Sequence, residues 1–121
     1  MILRPSVFEH RVDDIAPDAA VHHLSGRLYG TMEGYAFQEA IHRRARESLK
    51  VLILDFSRIE RIDSCGIGIL ASILTSMRNA NGRLILAAIP PPIAKLLDTV
   101  WFLRIVDHCA SVDEARRLAG K

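Results

Sequence analysis

Val51-Leu-Ile-Leu-Asp-Phe-Ser-Arg-Ile-Glu-Arg-Ile-Asp-Ser-Cys-Gly-Ile-Gly-Ile-Leu70 is the stretch that decides how this chain folds. Val51–Phe56 is nearly continuous in apolar residues and rich in branched side chains, the pattern of a strand buried on both faces of a sheet. Ser57–Asp63 is polar, with Ile59 and Ile62 as apolar anchors, and reads as a loop. A helix resumes at Ser64: Ile67, Leu70, Ile73, Leu74 and Met77 form one stripe at helical spacing. Asn81-Gly82 ends it with residues suited to φ > 0. Gly66 and Gly68 fall in its first turns, where each costs about 1 kcal/mol relative to alanine. Close approach, of the helix to the sheet or of another molecule to the loop, is what offsets such a cost.

Toward the C-terminus, Leu84–Ala88 reads as a second buried strand. Pro90-Pro91-Pro92 breaks the chain and sets Pro92 near the start of a short helix carrying Ile93, Leu96, Leu97 and Val100. Arg104–Asp107 reads as a brief last strand, and Ser111-Val112-Asp113-Glu114 is a capping box opening a final helix to about Leu118. Toward the N-terminus, Phe37, Ala40, Ile41, Ala45 and Leu49 mark a helix over Tyr35–Leu49. Its other face carries the i,i+4 pairs Glu39–Arg43 and Arg43–Glu47, which suits a solvated surface. Arg27–Gly34 reads as loop. Ser6–Val12 and Ala20–Leu24 read as two strands joined by a turn over Asp13–Asp18, with Ser25-Gly26 as punctuation after the second. The order is ββαβαβαβα: an α/β chain with a small mixed sheet, largely parallel.

Composition sets the outer bounds. The chain has 121 residues, half of them hydrophobic and a quarter charged, enough to build one core and no more. A formal charge of +2 and an aromatic content of 6% do not suit a dedicated nucleic-acid binder. Cys65 and Cys109 form neither a disulfide framework nor a zinc spacing, and the five histidines lack metal-binding spacing. The N-terminal residues lack the apolar segment of a signal peptide, and the longest apolar run, Gly66–Leu74, is far short of the ~20 residues that span a bilayer. A cytoplasmic protein without membrane insertion is the expectation.

Ser64 carries two compatible readings. As an N-cap, its hydroxyl accepts a backbone N–H of the first turn, worth about 1 kcal/mol. As a phosphoacceptor, it sits where free N–H groups and the helix dipole favour an anion. A phosphate there adds about 1.5–2 negative charges beside Asp63. Asp55 at a strand end invites comparison with receiver domains, but no lysine ends Leu84–Ala88 and Asp13-Asp14 falls between strands. Cys65 near a helix start has the placement of a nucleophile, yet no histidine is set by sequence to serve it. Trp101-Phe102 reads as core or helix-end anchor, with a partner interface as the alternative.

Val51–Leu70, with Asp63-Ser64-Cys65-Gly66-Ile67-Gly68 at its centre, resembles the STAS domain family, which includes bacterial anti-sigma factor antagonists and the cytoplasmic tails of sulfate transporters. Leu24–Leu28, Asn81–Leu86, Leu96–Phe102 and Ser111–Ala115 extend the resemblance along nearly the whole chain. It implies a single STAS-like domain over 1–121, with helices mostly on one side of the sheet. It also implies a non-enzymatic module without cofactor or metal, with Ser64 as the phosphorylation site and Ile62, Asp63, Cys65, Gly66 and Gly68 as the partner-binding loop. The implied partners are an anti-sigma factor that is a serine kinase of the histidine-kinase-like ATPase type, and a phosphatase that resets the switch. A constitutive scaffold, or an accessory subunit of a signalling assembly or transport system, is the alternative. Two departures stand out: Cys65 replaces the second Ser/Thr of the motif, and no acidic residue follows Gly26 until Glu33.

Overall fold

A computed structural model describes residues 7–120. The elements are β1 (Glu9–Ala16), β2 (Ala19–Leu28), α1 (Met32–Glu47), β3 (Val51–Ile62), α2 (Ser64–Asn79), β4 (Arg83–Ala87), α3 (Pro91–Thr99), a 3-10 turn (Phe102–Arg104), β5 (Asp107–Cys109) and α4 (Val112–Ala119). The expected order ββαβαβαβα holds, and the five strands lie side by side in sequence order. β1 runs antiparallel to β2, and β2 to β5 are mutually parallel.

Alternation along β3 and β4 explains the two layers. Leu52, Leu54, Phe56, Leu84 and Leu86 face the larger core, which α1, α2 and α3 cover. Ile53, Ile85 and Ala87 face the other way, against Ala115 of α4. Three helices therefore pack on one face and one short helix on the other. β3 reads as an apolar run because both of its faces are covered.

Several boundaries differ from the sequence reading, each for a physical reason. β1 runs to Ala16, so most of the expected Asp13–Asp18 turn is strand, and only Pro17-Asp18 turn the chain. Ser6, the first residue of the expected strand, lies outside the described residues. β2 continues through Ser25-Gly26 to Leu28, because Gly26 takes φ +90° within a strand whose register shifts on either side of it. A side chain there would collide with the Val7 carbonyl, 1.8 Å from the position of its Cβ. β3 continues through the expected loop Ser57–Asp63 to Ile62. Beyond the Asp55–Ala87 pair its one strand neighbour among the described residues is β2, and the register shifts between His23 and Ser25 and between Gly26 and Arg27 erase the period-2 pattern. α1 starts at Met32 rather than Tyr35, with Thr31 as its cap. α3 starts at Pro91 rather than Pro92. The expected Arg104–Asp107 strand is the end of a 3-10 turn followed by β5, which begins at Asp107.

A ring cluster fastens β1 to this frame. His22, 1% exposed, sits on the α1 side of β2. Its Nδ1 lies 3.1 Å from His10 Nδ1, one of the two nitrogens donating, and its ring stacks on His10 and tilts against Phe37. Burial first, and then the charge of His10, push the His22 imidazole down to about 4. His23, on the opposite face, hydrogen-bonds Asp55 at 2.7 Å.

Candidate functional site

The β3–α2 junction is organised by Asp63. Its backbone is extended (φ −109°, ψ −175°), and its Oδ1 accepts the Gly66 N–H at 2.8 Å. Its carbonyl accepts the Ile67 N–H at 3.0 Å, and its own N–H reaches toward the Leu28 carbonyl at 3.4 Å. Asp63, not Ser64, is therefore the N-cap. A capping acceptor lies three residues before the amide it takes, and a carboxylate there also meets the positive end of the helix dipole. Ser64 is displaced to the first helical position, exposed, with its hydroxyl free of capping duty.

Gly66 and Gly68 serve different ends. A Cβ on Gly66 would sit 2.1 Å from the Leu28 carbonyl oxygen and 2.7 Å from Ile62 Cγ1, so its hydrogen is what lets α2 start against the end of β2. A Cβ on Gly68 would meet nothing within 4 Å, and the residue is exposed. Among the described residues nothing in the packing offsets its helix-propensity cost.

The loop residues named from sequence thus divide. Ile62 and Gly66 are buried and shape the junction from within, Asp63 is half-buried, and Ser64, Cys65 and Gly68 face outward. Sequence reading missed the contribution of α1. Thr31 Oγ1 accepts the Gly34 N–H at 3.2 Å, and the first turn it starts presents Met32 and Tyr35, 85% and 47% exposed. The Tyr35 hydroxyl lies beside the Cys65 thiol, both within about 3.2 Å of a Cβ placed on Gly30. The charge of a deprotonated Cys65 is the first cause that holds the Tyr35 phenol above its ordinary value. Gly30 brings the β2–α1 loop to the same spot, since a Cβ on it would lie 2.7 Å from Cys65 Cβ and 3.2 Å from the Tyr35 hydroxyl. Thr31 as a capping residue with acidic Glu33 in the turn after it was the available signal, masked by the three glycines around it. The outcome is a continuous outer surface of Met32, Tyr35, Ser64, Cys65 and Gly68, with two helix N-termini side by side.

Asp55 is engaged elsewhere. Burial pushes its carboxyl up, but hydrogen bonds from His23 and the Ser57 N–H outweigh it and hold the group below its ordinary value. A cleft of about 750 Å³ between α1 and α2 is lined by His42, Lys50, Ser72, Ser76 and Asn81, at the far ends of both helices from Ser64. Among the described residues no group of three His, Cys, Asp or Glu is placed to hold a metal ion, and no helix is long and apolar enough to cross a membrane.

The model of the STAS domain family matches residues 11–115. The chain belongs to the STAS domain family. The computed fold agrees with that of solved STAS-fold proteins of low sequence identity. An anti-sigma factor antagonist from Mycobacterium paratuberculosis is 21% identical, with a TM-score of 0.81 over 99% of this chain and 100% of that one. The anti-sigma factor antagonist SpoIIAA in its unphosphorylated form is 17% identical, with a TM-score of 0.78 over 93% and 98%. A sulfate transporter family protein from Wolinella succinogenes is 16% identical, with a TM-score of 0.71 over 90% and 93%. Among curated proteins none matches. The STAS fold therefore occurs in antagonists and in a transporter-family protein alike.

Proposed function

We propose that this STAS domain is a phosphorylation-controlled partner-switching module of the anti-sigma factor antagonist type, acting in the cytoplasm as a binding protein rather than an enzyme. The observation that supports this most is the displaced serine: Asp63 caps α2, and Ser64 is left exposed at the first helical position. Unphosphorylated, the surface of Met32, Tyr35, Ser64, Cys65 and Gly68 binds an anti-sigma factor that is also a serine kinase of the histidine-kinase-like ATPase type. Gly68 allows the partner's backbone to come close. Transfer of a phosphoryl group to Ser64 places about 1.5–2 negative charges against the Asp63 carboxylate in the middle of that contact. Repulsion and desolvation then separate the partners, and a phosphatase restores the serine. Because Ser64 does not cap the helix, its modification leaves the α2 start intact and changes the surface.

The fold likeness to a sulfate transporter family protein supports a second reading, a STAS scaffold with no modification at Ser64. Intact-mass spectrometry separates the two. Incubation with ATP and an anti-sigma serine kinase of the histidine-kinase-like ATPase type is expected to add one phosphate to the wild type and none to Ser64→Ala. No gain in the wild type, or equal gain in the variant, defeats the switch and leaves the scaffold.

A further inference from the structure

Trp101 is the residue whose placement the fold does not account for. It follows α3 with φ +69°, the left-handed conformation that glycine or asparagine adopts cheaply and a bulky residue does not. Helix C-termini use that conformation routinely, and the Trp101 N–H does bond the Asp98 carbonyl at 2.9 Å, so the turn itself is ordinary. The side chain is not. Phe102 beside it is buried, whereas Trp101 is 63% exposed. Its described ring contact is the Arg104 guanidinium, 4.1 Å over the ring, a contact modest in strength when exposed. Val100 and Ile105, 45% and 52% exposed, extend the apolar surface on either side. Glycine at this position would keep the turn and shed the strain.

The rim of this patch is cationic. Arg104 stacks on the indole, and Arg78 of α2 donates through Nη2 to the Ile105 carbonyl. Among the described residues neither has a carboxylate within ion-pair reach. The nearby Asp107 is paired with Arg83 at 2.7 Å. Tryptophan and arginine are the residues that most often dominate binding energy at interfaces. The patch also lies away from Ser64: α2 starts at the C-terminal end of β3, whereas the segment after α3 leads into the N-terminal end of the parallel strand β5.

We propose that Val100, Trp101, Arg104 and Ile105, with Arg78, form a second docking surface for an acidic amphipathic segment of a partner protein. The segment's apolar side chains cover the indole, and its carboxylates meet the two guanidinium groups. Because the surface sits at the opposite end of the sheet, it stays open whatever the state of Ser64, so it tethers a partner while the Ser64 surface switches.

Trp101 is the chain's single tryptophan, so its emission reads the patch directly. The probes are a short amphipathic peptide with leucines on one face and glutamates on the other, its lysine counterpart, and phosphatidylglycerol vesicles. The glutamate peptide is expected to give a saturable blue shift, weakened about tenfold or more by Arg104→Glu. Calorimetry is expected to show its binding lost in Trp101→Asn, while that variant melts at the wild-type temperature or above. The proposal is overturned by an absent shift with the glutamate peptide, or by an equal one with the lysine peptide. A shift with vesicles alone assigns the patch to a lipid surface instead. A lower melting temperature for Trp101→Asn makes the indole structural and overturns it as well.

Discussion

Two helices of this protein begin at an acid-and-serine pair, and they use it in opposite ways. At α4, Ser111 is the cap: it is extended, and its hydroxyl accepts the Glu114 N–H at 3.1 Å. At α2, Asp63 holds that place and the serine is pushed one position inward, out of the capping hydrogen bond and into solvent. The first is a serine consumed by the fold. The second is a serine the fold does not need, which is what a modifiable residue requires. The α2 junction is also the tighter of the two, since its first turn lies against the Leu28 carbonyl.

That difference can be broken at several points. The largest effect is expected from Gly66→Ala, because a methyl 2.1 Å from a backbone oxygen forces α2 off the end of β2. A loss of about 3 kcal/mol or more in urea unfolding is expected, against a gain of up to about 1 kcal/mol for Gly68→Ala. Similar losses for both would mean that Gly68 too is packed within the fold.

Acid comes next, and it should sharpen the contrast by leaving it unchanged. His22 titrates at about 4 in the folded protein and near 6.5 unfolded, so its folded value is depressed. Being a base, it contributes fully above pH 6.5, where both states are neutral. As pH falls toward 4 the unfolded chain gains the proton and the folded one does not. Stability should therefore fall between these values, by on the order of 3 kcal/mol. His22→Phe should flatten that fall, and the ranking of α2 and α4 variants should be the same at pH 7 and pH 5. A pH dependence unaltered by His22→Phe would show that other groups carry it.

The smallest effects test the caps themselves. Asp63→Ala and Ser111→Ala should each cost about 1 kcal/mol, and Ser64→Ala should stay within about 0.5 kcal/mol of wild type, all by urea unfolding. A Ser64→Ala cost equal to that of Ser111→Ala would put the hydroxyl back into the fold.

Much of this was legible locally. The apolar runs Val51–Phe56 and Leu84–Ala87, the stripe from Ile67 to Met77 and the Ser111 cap are all set by neighbours within a few residues, and all appear in the structure; Ala88, expected to end the second run, instead leaves the strand with φ +56°. The polar stretch Ser57–Ile62 misread as loop because a bulged strand with one neighbour has no clean alternation. Tyr35 escaped notice because its contact with Cys65 spans thirty residues of chain.

By itself, the sequence determined the order of elements, the two-sided burial of the central strands and the position of the Asp63-Ser64 pair at a strand-to-helix passage. Periodicity and capping are short-range, and one chain suffices to write them. Only the tertiary structure decided which member of that pair caps, because the choice depends on where the Leu28 carbonyl lies when α2 starts. The same holds for the two glycines, one pressed on β2 and the other open, and for Trp101 turning outward beside a buried Phe102. These are contacts between segments distant in the chain, and no local pattern encodes them.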